Sequence, residues 1–242
     1  MKKPCLICPQ LFAVLSVPAF IALYTFTGLI VLCLLVLASL RMRKAVRVVV
    51  RFWGWASFVM ILKRLRVVGK EHIEKDKKYI LVANHASLFD ILAIVAFYPN
   101  ISFFGKEYLT RIPVFGKVIK MIDFIPMKTT TLRNTRNMLD QLSEKAESVT
   151  IAIFPEGTRT RDGDIKRFRK GFVHLLRATD HQILPVTLKG FFFFKPPQRF
   201  YIDFVTRLKV IIHPPLDNEE LRAKDDQEII DTVKGIIESA YY

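Results

Sequence analysis

Residues 11–40 (LFAVLSVPAFIALYTFTGLIVLCLLVLASL) contain no charged side chain. A bilayer core of about 30 Å is crossed by about 20 helical residues, so this run predicts a membrane-embedded helix. A secretory signal would show an apolar stretch of roughly 7–15 residues and a small-residue cleavage site; Lys2 and Lys3 before so long a run point to an uncleaved anchor. Arg41, Arg43, Lys44, Arg47 and Arg51 follow, then FWGWASFVMIL (52–62), apolar and carrying Trp53 and Trp55 of the kind found at membrane interfaces. Arg47 and Arg51 share a helix face, which predicts an amphipathic helix over 45–62 lying among the headgroups. If the first helix spans, the positive cluster places the remainder of the chain in the cytoplasm. If it only dips, with kinks at Pro18 and Gly28, both helices sit in one leaflet.

From Arg66 the pattern changes. Short apolar runs (YILVA 79–83, ISFF 101–104, IDFI 122–125, VTIAIF 149–154, ILPVTL 183–188, LKVIIH 208–213) alternate with helix-like stretches. They are continuously apolar rather than alternating, as strands are when helices cover both faces of a parallel sheet. The predicted fold class is α/β, a mostly parallel central sheet flanked by helices, with an N-terminal membrane-embedded helical segment. Leu132, Met138, Leu139, Leu142 and Ala146 form a helical stripe over 131–147, and a terminal helix is expected from about 226 to 240. The basic passage 63–78 is linker-like and divides the chain into anchoring helices, 1–62, and an α/β domain, 63–242. FFFFKPPQRF (191–200) fits a buried strand entering a Pro-Pro turn, or a loop dipping into the interface.

The charge narrows the partners. Thirty-seven Lys and Arg against 22 Asp and Glu leave +15, suited to anionic lipid surfaces, phosphate substrates, acidic proteins or nucleic acid. A membrane-tethered nucleic-acid-binding module is the alternative of a different class, but no recognition motif accompanies the charge, and no nucleic acid is expected. Cys5 and Cys8 form a C-x-x-C without a second pair, and Cys33 lies in the apolar run, which implies reduced thiols and no disulfide framework. No ligand cluster is spaced for a metal.

Two short stretches carry candidate chemistry. In NHASLFD (84–90), His85 and Asp90 would not share a face if both were helical, because five residues turn about 500°. With Ser87 as N-cap, Asp90 takes the third helical position and points back toward His85 in the preceding loop. That suits a base oriented by a carboxylate. Ser-x-x-Asp is also a capping-box pattern, in which Asp90 only satisfies a backbone N–H. In FPEGTRT (154–160), a buried strand leads into a turn bearing an arginine whose planar fork can grip phosphate, or which pairs with Glu156. Ligands gather beyond the carboxyl ends of such strands, which brings His85, Lys106, Lys128 and Glu156 to Arg159 to one rim.

Together, NHASLFD and FPEGTRT, about seventy residues apart in an α/β chain, resemble the glycerolipid acyltransferase family, most closely the 1-acyl-sn-glycerol-3-phosphate acyltransferases. The resemblance runs from about residue 66 to 215 and takes in GKEYL (105–109), IDFIPMK (122–128) and ILPV (183–186). Aspartate at position 90 separates the chain from the lipid A acyltransferases, which favour glutamate there. The resemblance implies a catalytic pair, His85 and Asp90. It implies a glycerophosphate-binding block of Glu156, Gly157, Thr158 and Arg159, with Lys106 as a further phosphate contact. Asn84, Lys128 and Pro185 are lesser site residues; Lys128 stands where the family has arginine and supplies a point charge without the planar fork.

The reaction implied is direct transfer of an acyl group from an acyl-CoA or acyl-carrier-protein thioester to the sn-2 hydroxyl of lysophosphatidic acid, giving phosphatidic acid. Glycerol 3-phosphate or other lysophospholipids are the alternative acceptors. No cofactor beyond the thioester co-substrate is implied. The expected setting is the cytoplasmic face of the inner (plasma) membrane. There Lys166, Arg167, Arg169 and Lys170 would meet lipid phosphates, steer an acidic carrier protein, or simply be solvated.

Overall fold

The computed structural model describes residues 9–98, 100–111, 116, 119–120, 124–127 and 149–242. Lys2, Lys3, Cys5, Cys8, Lys128 and the helix expected over 131–147 lie outside them. Among the described residues, seven strands form one sheet: β1 (Leu65–Val68), β2 (Tyr79–Ala83), β3 (Ile101–Lys106), β4 (Ile125–Met127), β5 (Thr150–Ile153), β6 (Gln182–Lys189) and β7 (Leu208–Ile212). Their order is β1-β7-β6-β2-β5-β3-β4. All neighbouring pairs are parallel except β6 and β7.

The continuous apolar runs have the predicted cause. In β2, Tyr79, Leu81 and Ala83 join a core with α1 (Pro9–Ser39), α2 (Arg43–Met60) and α3 (Phe89–Phe97). Ile80 and Val82 face the other way, toward α4 (Gly171–Ala178) and the C-terminal α7 (Asp226–Tyr241). Burial on both faces removes the alternation that a one-sided sheet would show. A capping box of Asp225 and Glu228 starts α7 where the terminal helix was expected.

Three expectations are corrected. The passage 63–78 is not a linker, because it contains β1, a four-residue strand that among the described residues is an edge strand paired with β7, and whose exposed Arg66 interrupts the apolar signal. The fourth strand begins at Ile125, the last residue of the IDFI run, with Phe124 outside it; residues 122–123 lie outside the described ones. Phe191 to Phe194 form not a strand but a single helical turn, α5, closed by the Arg199 guanidinium on the carbonyls of Phe193 and Phe194. Four consecutive apolar residues are too few to display a period. A short helix, α6 (Asn218–Arg222), precedes α7.

Among the described residues, α1 is the one helix long and apolar enough to cross a membrane. Its exposed surface includes Leu11, Val14, Ile21, Leu29 and Leu32. Returning antiparallel along it, α2 makes a Trp53 Nε1 to Thr27 Oγ1 hydrogen bond (3.1 Å) and a Phe26–Phe52 edge contact. The hairpin is part of the core rather than a tether: Phe58 and Ile61 are buried, and a Cβ at Gly54 would stand 2.7 Å from the Leu92 carbonyl of α3. Ile61→Val should therefore lower whole-protein stability by about 0.5–1.5 kcal/mol, measured by thermal unfolding in detergent. An unchanged melting temperature would make α2 a passive tether.

Candidate active site

The close of β2 delivers Asn84 and His85 to the rim. Asn84 is buried, and its amide both donates to the Leu188 carbonyl (3.1 Å) and accepts from the Leu188 N–H (2.8 Å), clamping the loop to β6. His85 then stands in the loop, its ring stacked on Phe154 at 4.1 Å and 17°. Its Nδ1 lies 2.8 Å from Asp90 Oδ2. The same oxygen accepts the backbone N–H groups of Ala86 (2.6 Å) and Ser87 (2.8 Å), while Asp90 Oδ1 is buried without a partner among the described residues. An oxygen already taking two N–H donors leaves Nδ1 as a third donor, so Nε2 carries the lone pair. No hydrogen bond holds Nε2 among the described residues.

The contact to His85 and the capping of backbone N–H groups, the two geometries expected of Asp90, thus coexist in one carboxylate. The cap itself is corrected: α3 starts at Phe89 with Leu88 as N-cap, one residue later than expected. Ser87 still accepts weakly from the Phe89 N–H (3.4 Å), but its own hydroxyl donates to the Lys195 carbonyl (2.8 Å).

The second stretch wraps the first. Thr160 N–H donates to the His85 carbonyl (2.9 Å), and Glu156 Oε1 accepts the His85 N–H (2.7 Å) while Oε2 accepts the Lys166 N–H (2.9 Å). Both oxygens of Glu156 therefore hold backbone beside the histidine. Gly157 adopts φ +71°, a left-handed conformation that turns the strand sharply into this loop. Thr158 is exposed and Arg159 half-buried, and among the described residues no ion pair joins Arg159 to Glu156. Lys106 closes β3 at the same rim; Lys128 lies outside the described residues; Pro185 is buried within β6, level with Val82 and below the rim. Among the described residues, no group of three or more His, Cys, Asp or Glu is placed to hold a metal.

The acyltransferase family profile matches residues 64–189, just over half of the chain and all of this rim's principal loops. The chain belongs to the acyltransferase family. Among relatives of this acyltransferase, a 1-acyl-sn-glycerol-3-phosphate acyltransferase of Borreliella burgdorferi is 30% identical over 189 residues, covering 76% of this chain and 72% of the relative. A chloroplast 1-acyl-sn-glycerol-3-phosphate acyltransferase of Arabidopsis thaliana is 27% identical over 176 residues, covering 72% of this chain and 49% of the relative. The chain thus spans about half the length of that plant protein. The crystal structure of a Thermotoga maritima 1-acyl-sn-glycerophosphate acyltransferase superposes with a TM-score of 0.78 at 24% identity, covering 95% of each chain, which shows that the fold is shared.

One residue of this acyltransferase was invisible to motif reading. Lys195 follows α5, and its carbonyl is tied to Ser87 across 108 positions of sequence. Its ammonium is held below the usual lysine range, first by burial and then by the charges of Arg159 and Arg199. Among the described residues, none of these three cations has a carboxylate partner. KPP marked a turn, but no local spacing showed that it would meet NHASLFD.

Glu156 gives a pH signature. Burial pushes its carboxyl up to about 7, against the lowering effect of the two backbone N–H groups it holds. A carboxyl raised on folding binds more protons in the folded chain between its ordinary value of 4.5 and about 7, so its contribution to stability falls as pH rises through that window. Glu156→Gln should flatten this part of the melting-temperature profile. An identical slope in both proteins would show that Glu156 does not titrate there.

Proposed function

We propose that this family member transfers an acyl group from a thioester to the sn-2 hydroxyl of 1-acyl-sn-glycerol-3-phosphate, with His85 as general base. The observation that carries this is the 2.8 Å bond from His85 Nδ1 to Asp90, which leaves Nε2 unbonded at the rim among the described residues. Nε2 takes the hydroxyl proton as the oxygen attacks the thioester carbonyl. The tetrahedral intermediate then expels the thiolate, which recovers that proton from the imidazolium. Asp90 stabilises the imidazolium, and the Phe154 stack fixes the plane of the ring. Ser87 is engaged with Lys195, which favours direct transfer over an acyl-serine. Arg159 and Lys195, with Lys106 at the end of β3, hold the acceptor phosphate and orient the hydroxyl. The acceptor for which the relatives are named supports this assignment.

Residues 1–62 act as the anchor and 63–242 as the acyltransferase domain. Because α2 runs back along α1, a spanning α1 would draw Arg47 and Arg51 toward hydrocarbon, at about 2.5–3.5 kcal/mol per charge near the centre. The hairpin therefore lies in one leaflet, and the domain meets its lipid substrate by lateral diffusion along the cytoplasmic face.

Purified protein in detergent should acylate lysophosphatidic acid from acyl-CoA or acyl-carrier protein, with glycerol 3-phosphate and lysophosphatidylcholine as weaker acceptors. Equal rates on all three acceptors would overturn the acceptor assignment.

A further inference from the structure

The rim that carries His85 continues past β6. Lys189 pairs with Lys209 across the antiparallel β6–β7 ladder, and Leu65 pairs with Leu208, so β7 and β1 both start at the end where β2 finishes. With strands about 4.8 Å apart, β7 lies about 10 Å and β1 about 14 Å from β2 in the plane of the sheet. Here the chain leaves α2, and a groove of about 660 Å³ opens between residues 62–66 and 205–209. Lys63, Arg64, Arg66, Arg207 and Lys209 line it, and among the described residues no acidic one joins its walls. Arg64, Arg66 and Arg207 are exposed and unpaired among the described residues. Asp203 is buried, its carboxylate accepting the N–H groups of Val205 and Thr206 and facing Lys63.

Bare apolar side chains border the same groove. Leu62 is 85% exposed and Val205 71%, and an adjoining groove of about 450 Å³ continues to Trp55 and Val59 on the open face of α2. Unpaired cations set among exposed Leu, Val and Trp match a membrane interface, with apolar atoms at the acyl boundary and charges at the phosphates. Lys63 is the innermost cation. It donates to the Thr206 carbonyl and lies 5.4 Å from the Phe194 ring centroid. Phe194 in turn packs edge-on against Phe89, beside Asp90, at 4.9 Å. Burial pushes the Lys63 ammonium down to about 8, a cost that a phosphate alongside would offset.

We propose that the groove between residues 62–66 and 205–209 binds the phosphate headgroup of an anionic membrane lipid, separately from the acceptor site at His85. Occupancy seats this end of the sheet on the bilayer and sets the height of the catalytic rim above it. The inference concerns binding alone and does not rest on acyl transfer.

Flotation with vesicles of phosphatidylcholine, with and without 30% phosphatidylglycerol, tests it on the full chain. Wild-type protein should bind both through its helices and prefer the anionic vesicles. Combined Arg64→Gln, Arg66→Gln and Arg207→Gln should reduce that preference roughly 10- to 100-fold, at about 1 kcal/mol per cation near the surface. Lys70→Gln, Lys75→Gln and Lys78→Gln remove the same charge from the opposite end of the sheet, roughly 15 Å away and beyond a Debye length of about 8–10 Å, and should preserve it. Binding to neutral vesicles, unchanged in both variants, reports intact folding. Equal losses in the two variants, or no loss in the groove variant, would overturn the site. Inorganic phosphate at matched ionic strength should not compete; competition would instead assign the groove to a soluble phosphate compound.

Discussion

Asp90→Asn should fold at a cost of about 1–3 kcal/mol and lose roughly 10²–10⁴ in turnover. The asymmetry follows from the carboxylate's two oxygens. Oδ2 accepts from His85 Nδ1 and from the N–H groups of Ala86 and Ser87, whereas Oδ1 is buried without a partner among the described residues. An asparagine can keep its carbonyl where Oδ2 stands and preserve the loop, leaving its amide in the unpartnered Oδ1 position. It cannot stabilise the imidazolium formed when Nε2 takes a proton. A residue that only capped the loop would lose stability and spare turnover, so melting temperatures beside acylation rates separate the two roles. His85→Ala should be at least as inactive, and the double variant little worse than either single one, because residues acting as a unit are strongly non-additive.

The second large effect belongs to the acceptor phosphate. Arg159→Ala should cost about 1.5–3 kcal/mol in kcat/KM toward lysophosphatidic acid, the range for a hydrogen bond to a charged group. Lys195→Ala should act in the same direction but less, since an ammonium lacks the bidentate fork. Both losses should shrink toward a monoacylglycerol, which has no phosphate. Equal damage on the two acceptors would make Arg159 and Lys195 structural residues of the loops they join.

What the sequence disclosed divides along physical lines. β2 was legible to the residue because a strand buried on both faces is apolar without interruption. β1 was hidden because four residues at an edge, one of them an exposed arginine, carry almost no pattern. His85 and Asp90 were legible as a pair because their partnership is local, five positions apart at a loop-to-helix junction. The place of Glu156 was only half legible: its loop was identified, but not that its carboxylate would grip the backbone of His85, 71 positions away. Lys195 was beyond reach for the same reason, because its link to Ser87 exists only once β6 has turned the chain through Gly190 at φ +91° into α5. Local chemistry could be read from spacing, whereas chemistry assembled by strand order had to wait for the sheet.

The most direct test is the formation of phosphatidic acid from lysophosphatidic acid and an acyl thioester by purified wild-type protein and by His85→Ala, at matched folding. The wild-type protein should form product from acyl-CoA or acyl-carrier protein, and His85→Ala should form none above the uncatalysed background. Product from His85→Ala at a near-normal rate, or none from the wild type with either donor, would contradict the assignment of His85 and Asp90 as the acyl-transfer pair.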